Sequence, residues 1–283
     1  VLHRHFLHDD AYIVLRYAQR WLAGQGLTWN AGERVEGFSS PLWLAQVALL
    51  GRLGLALPFA ARALGLVYAT AVVLLWYRAR ATAAALLALV TVPGFAMWSW
   101  GGLETLCACF WMLLALHLTF PRSGEPLPRG RSALFALALA AVALGRPEGF
   151  AVALAIGAAA WPSRQRSLVI AAVATGAALV AYQGFRLLYF GDMIANGARA
   201  KTLGLPVGAR VEDAAVYLGK TSPQWLGSVL VAAWLLGTSP SGRRAGRLLL
   251  PLLPLLAAVF AGGGDHMAGA RLLVGSAALT CFA

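Results

Sequence analysis

Acids are scarce in this chain: 11 Asp and Glu stand among 283 residues, against 23 Lys and Arg. With only 12% charged residues and 60% hydrophobic ones, the composition excludes an ordinary soluble domain, in which about 25% of residues are charged. Cysteine is nearly missing too. Cys107, Cys109 and Cys281 lie inside apolar runs, where a thiol behaves as a small hydrophobe, and no metal-ligand spacing is present. No internal repeat or composition shift marks a second domain, so residues 1–283 read as one unit. The basic excess is scattered between apolar runs, without the aromatic-interleaved patch a nucleic-acid groove needs, which excludes nucleic acid as a partner.

What the chain has in abundance is Ala, Leu, Val and Gly. Apolar segments fall near Pro41–Leu57, Phe59–Tyr77, Thr82–Trp100, Leu103–Phe120, Ala133–Trp161, Leu168–Phe190, Gln224–Gly237, Leu248–Ala261 and from Leu272 onward. The fold class is therefore all-α, a polytopic transmembrane helical bundle, with membrane lipids as its surroundings and Trp and Tyr as interfacial anchors. A perpendicular span takes about 20 residues, so the shorter segments must tilt, re-enter or lie partly in the interface. The first residue is not Met and the last ones stop inside an apolar run. The chain thus reads as a piece of a longer protein, with membrane helices before Val1 and after Ala283.

Four of the eleven acids sit in one stretch, residues 9–43, the expected first outer loop. Asp9 or Asp10 is placed to cap a helix starting near Ala11. Val14, Tyr17, Ala18 and Trp21 form one face of that helix, while Arg16, Gln19 and Arg20 form another. It is too short and too charged to span a bilayer and belongs in the interface. Ser40 before Pro41 marks the start of the next helix.

Basic clusters at Arg122, Arg129 and Arg131, at Arg164 and Arg166, and at Arg243, Arg244 and Arg247 assign three joints to the cytoplasm. The joints Gly101–Glu104, Arg146–Glu148, Gly191–Pro223 and Gly262–Arg271 then fall on the opposite face. Apart from Glu125, every acid outside the opening stretch lies in one of those four, which predicts one polar cavity on the non-cytoplasmic side. Three full crossings between Trp43 and Trp100 would put Glu36 on the wrong side of Glu104. A shared cavity requires that Pro41–Leu57, interrupted by Arg52, or Phe59–Tyr77, followed by Arg78 and Arg80, does not cross.

Each joint carries charge with a bland reading beside the functional one. Glu104 follows two glycines at a helix start, as a cap or a cavity carboxylate. Arg146 and Glu148 sit at the tip of a hairpin with arms too short to cross, as a structural ion pair or a substrate contact. The 191–223 stretch, expected as an outer loop, holds Asn196, Arg199 and Lys201 on a face that should be poor in cations; a phosphate head group would account for them. Asp265, His266 and Arg271 follow a glycine run, in a tight turn or with the Asp and His against substrate or a divalent metal.

Together these residues resemble a known pattern. Asp9-Asp10-Ala11-Tyr12-Ile13, then Arg16-Tyr17-Ala18, Gly26-Leu27-Thr28-Trp29-Asn30, Glu33 and Val35-Glu36-Gly37-Phe38-Ser39-Ser40-Pro41-Leu42-Trp43 are similar to the first outer loop of GT-C membrane glycosyltransferases. The terminal arabinofuranosyltransferases of actinobacterial cell-wall synthesis are the nearest group. Gly102-Leu103-Glu104-Thr105, Arg146-Pro147-Glu148-Gly149, Gly191 with Asn196 and Lys201, and Gly263-Gly264-Asp265-His266-Met267 with Arg271 resemble its later motifs in order.

The resemblance implies a GT-C-like fold in a bacterial plasma membrane, with the site on the non-cytoplasmic side. It implies a polyprenyl-phosphate sugar donor and a glycan or lipid acceptor of the cell envelope. By that likeness Asp9 is the expected catalytic base, with Asp10 orienting it or holding a metal. Arg16, Glu36, Glu104, Arg146, Glu148, Asn196, Arg199, Lys201, Asp265, His266 and Arg271 are the expected substrate contacts, and Arg199, Lys201, His266 and Arg271 face the leaving phosphate. No cofactor is required by this reading, which admits a divalent metal (Mg or Mn). Direct attack by the acceptor would invert the anomeric centre. The rival class is a transporter or flippase of a lipid-linked or anionic substrate, which also uses interrupted helices and intramembrane charge.

Overall fold

The computed structural model describes residues 7–79, 86–87, 89–90, 92–119, 128–203, 205–238, 246–247, 249–264 and 271–274. Among them the chain is an all-α membrane protein with no strand. Helix α1 (Asp9–Leu22) buries Ala11, Val14, Leu15, Tyr17 and Ala18, the recurrent face its sequence announces. Its cap differs from expectation. His8 is the N-cap, its Nδ1 accepting the Asp10 N–H at 3.3 Å, so the two aspartates occupy the first turn instead.

Helix α2 (Pro41–Arg52) buries Trp43, Leu44, Val47 and Ala48 against α1. Its 12 residues rise only about 18 Å, short of a hydrocarbon core about 30 Å thick. Of the suspected segments it is the one too short to cross upright, and Gly37, next to Glu36, lines the same cavity as Glu104. Helix α3 (Leu57–Arg78), with 22 residues, is long and apolar enough to span. It packs on α4 (Pro93–Trp100) and α5 (Thr105–Thr119), which meet at 115° and count together as one broken span or a re-entrant loop.

The break between α4 and α5 needs Gly102, whose φ is +81° and whose place a Cβ could take only by striking Leu7. Two groups from the opening stretch satisfy its carbonyls. The His8 N–H donates to Gly101 O at 3.2 Å, and the Trp43 indole N–H donates to Gly102 O at 3.2 Å.

Helix α6 (Arg129–Gly145) and helix α7 (Gly149–Phe190) form the expected hairpin with Arg146-Pro147-Glu148 at its tip. Gly149 is required there, because a Cβ would collide with the Val142 carbonyl. The joint expected around Arg164 and Arg166 is not a loop: the backbone stays helical over the 42 residues of α7. Yet a Cβ at Gly157 would lie 3.8 Å from the Leu168 side chain. In a straight helix those eleven steps rise about 16 Å, so α7 does not run straight between Gly157 and Leu168. The second arm, Arg166–Phe190, is the other helix long and apolar enough to cross.

The expected outer loop at 191–223 is also helical. Gly191, left-handed at φ +73°, ends α7; α8 (Asn196–Leu203) follows, and α9 (Val207–Thr238) starts soon after Pro206. The Ala-rich sequence between its charges favours helix, and charge on an exposed helical face is no obstacle. Helix α10 (Leu252–Gly262) packs on α7, α8 and α9, and a 3-10 turn (Arg271–Leu273) contacts it. The main core joins α3 to α7 through Val72, Trp76, Trp98, Leu113, Phe135 and Ile156, all at most 2% exposed.

Candidate functional site

The break after α4, the hairpin tip and the first turn of α1 converge on one cavity of ≈560 Å³. Asp10, Glu104, Arg146, Glu148 and Arg271 line it, with Gly37-Phe38-Ser39-Ser40 on one wall and Gly197, Ala198 and Ala200 of α8 on another. Arg146 is its electrostatic centre. Its Nη1 donates to Glu104 Oε1 at 3.0 Å and its Nε donates to Glu148 Oε1, so one guanidinium is shared between a buried and a half-buried carboxylate. Arg271, 8% exposed, lies over the Trp98 ring at 5.8 Å from its centroid.

The two aspartates of α1 part ways. Asp10 lines the cavity, whereas the Asp9 carboxylate is 83% exposed, lies outside that lining and sits 2.6 Å from His8 Nδ1. The Asp10 N–H is shared between His8 Nδ1 at 3.3 Å and Asp9 Oδ1 at 3.0 Å. Ligand atoms of His8, Asp9 and Asp10 all lie within 4.8 Å of one another. Two carboxylate oxygens and an imidazole nitrogen are a donor set that suits Mn and, less fully, the harder Mg.

Glu36 is held away from the cavity. It is 5% exposed; Tyr182 donates to its Oε1 at 2.5 Å, Arg186 Nε donates to its Oε2 at 2.6 Å, and its carbonyl accepts from Asn196 N–H at 3.0 Å. Next to it, the Tyr17 hydroxyl donates to Val35 O at 2.5 Å and accepts from Gly37 N–H at 2.9 Å. The 35–37 segment is thereby fastened to α1, α7 and α8, and the wall formed by residues 37–40 with it. Burial raises the Tyr17 pKa above its ordinary value.

Other expected contacts lie off the cavity wall. Arg16 Nε donates to Trp29 O at 3.4 Å and braces the loop. Asn196 is exposed at the start of α8, beside the lining residues Gly197 and Ala198. Arg199 is exposed and paired with Asp192, whose pKa is lowered first by the Ile194 N–H and then by that arginine. Lys201 belongs to α8, and its side chain lies outside the description, as do Asp265 and His266 entirely. The sequence reading missed Tyr182, Arg186 and Ser40. Arg186 left a signal, an arginine inside an apolar run, where charge is retained only for a partner.

Fold and site together define an all-α membrane protein with a carboxylate–guanidinium cavity walled by its first loop, the α4–α5 break and the hairpin tip. The chain is 33% identical over 231 residues to a terminal beta-(1->2)-arabinofuranosyltransferase of Mycobacterium tuberculosis, an alignment covering 70% of this chain. The chain spans 35% of the length of that relative. No family model matches the chain, and no solved structure does.

Proposed function

We propose that the protein is a membrane glycosyltransferase that moves a sugar from a polyprenyl-phosphate donor to a glycan or lipid acceptor of the cell envelope, on the non-cytoplasmic side. The likeness to an arabinofuranosyltransferase supports the class. The observation that carries the reading is the gathering of Asp10, Glu104, Arg146, Glu148 and Arg271 around one cavity large enough for a sugar and a phosphate. A transporter needs no such assembly of acids at a single face.

Asp10 is the base of this proposal, taking the place first expected for Asp9, because it lines the cavity and Asp9 does not. Its carboxylate accepts the proton of an acceptor hydroxyl as that oxygen attacks the anomeric carbon. The bond from that carbon to the donor phosphate breaks, the phosphate leaves with the electron pair, and the centre inverts. Arg271 offsets the charge on the departing phosphate. Arg146 holds Glu104 and Glu148 in place and positions the wall they form. His8, Asp9 and Asp10 would hold a divalent cation, which when bound supplies positive charge beside the phosphate.

The test is transfer of labelled sugar from a polyprenyl-phosphate donor by membranes carrying the protein. The absence of transfer by the parent protein would overturn the proposal; Asp10→Asn should lower transfer by about 10²-fold or more, and full transfer by that variant would remove Asp10 as the base.

A further inference from the structure

The start of α2 is chemically open. Its N-cap, Ser40, has φ −129° and ψ 86° and makes no side-chain cap bond. The residue is 2% exposed, and its Oγ has no hydrogen-bond partner among the described residues. Pro41 follows and has no N–H to offer. The first ladder bond runs from Leu44 N–H to Ser40 O at 3.1 Å, so the N–H groups of Leu42 and Trp43 find no acceptor within the helix. A serine in this place ordinarily turns its hydroxyl onto such a group. Here it does not, and a buried hydroxyl left single is costly unless something completes it.

Ser39 and Ser40 both line the cavity that holds Asp10 and Arg146. An oxyanion entering there cannot draw on the whole charge of Arg146, which is shared between Glu104 and Glu148. The positive end of α2 with the Ser40 hydroxyl offers neutral donors suited to it. Phe38 is a wall of this cavity and also of a second one, ≈380 Å³, lined by Leu44, Tyr182, Phe185 and Tyr189. The second cavity is almost wholly apolar and shares the Phe38 wall with the first.

We infer that Ser40 Oγ and the first-turn N–H groups of α2 bind a phosphate oxygen of a lipid-linked phosphate, whose hydrocarbon passes Phe38 into the aromatic cavity. The inference rests on the transferase reading for the identity of the lipid phosphate, and its test reads binding, not transfer.

The experiment uses the intact protein in lipid nanodiscs and calorimetric titration with three probes: a fifteen-carbon prenyl monophosphate, the matching prenyl alcohol and inorganic phosphate. Ser40→Ala should weaken the prenyl phosphate about tenfold, the usual loss for a hydrogen bond to a charged group. It should leave the alcohol unchanged, and Ser40→Thr, which restores a hydroxyl, should recover most of the affinity. Competition by inorganic phosphate would show that the subsite takes phosphate from either source; its failure to compete, with the Ser40 effect intact, would assign the lipid form. Equal affinity of Ser40→Ala and the parent for prenyl phosphate, an alcohol bound as tightly as the phosphate, or no prenyl phosphate binding at all would overturn the inference. No transfer by the parent protein alongside a Ser40-dependent affinity would remove the transferase reading and leave this subsite standing.

Discussion

Arg146 Nη1 meets Glu104 Oε1 at 3.0 Å across 42 residues of sequence, joining the hairpin tip to the α4–α5 break. Without the hairpin tip the Glu104 carboxylate, 6% exposed, would lose its guanidinium partner. The pair is both a structural joint and the floor of the site.

Replacing Arg146 by Met should leave the buried Glu104 and the half-buried Glu148 without their shared counter-charge, at a cost of about 3–5 kcal/mol. Thermal unfolding in detergent should show a large fall in melting temperature. Arg146→Lys, which keeps the charge and loses the planar fork, should recover only part of it. A melting temperature unmoved in Arg146→Met would sink the structural role.

Asp9 and Asp10 should be separable by kinetics. Asp10→Asn should lower kcat by about 10²-fold or more, the typical worth of a general base. Asp9→Asn, altering an exposed group beside His8, should cost much less. Equal losses would mean that the two carboxylates act as a unit, as joint ligands of a cation would, and removal of divalent ions with a chelator would then abolish transfer as well.

The Glu36–Arg186 contact should appear as coupling. Each single variant, Glu36→Gln or Arg186→Met, leaves a buried partner unpaired. The double variant should therefore cost less than the two losses together, by about 0.5–3 kcal/mol in denaturant titrations. Strict additivity would contradict a clasp between the first loop and α7.

Tyr17 makes a pH prediction. Its folded pKa is raised by burial above the ordinary value of 10.0, so its contribution to stability is full below that pH and is lost as pH rises through the folded value. Unfolding measured from pH 8 upward should show this loss at alkaline pH in the parent and not in Tyr17→Phe. At neutral pH Tyr17→Phe should cost about 1–3 kcal/mol, because Gly37 N–H and Val35 O lose their buried partner.

The helical class, the amphipathic α1 and the hairpin at Arg146 were legible because periodicity and charge position are properties of the sequence itself. Only part of the expected shared cavity was legible: Glu104, Arg146 and Glu148 meet there with Asp10 and Arg271, while Asp9, Glu36 and Asp192, expected at the same cavity, lie off its lining. What could not be read was direction. The aspartates are adjacent, and one points inward while the other faces solvent, a choice made by the packing of Ala11 and Val14. Glu36 carries no mark in the sequence that distinguishes a clasp from a ligand contact; its partners stand 146 and 150 residues away. The helicity of 191–223 was hidden by its polarity, which suits a wet helical face as well as a loop.

The α4–α5 break has its carbonyls at Gly101 and Gly102 answered from outside, by the His8 amide and the Trp43 indole. Inside a membrane, exposed peptide oxygens cannot be left waiting. The knee therefore cannot adopt its final shape until the amino-terminal segment has settled over it. Because that segment precedes the knee in the chain, it leaves the ribosome before it, and maturation of this part of the molecule is ordered by the direction of synthesis.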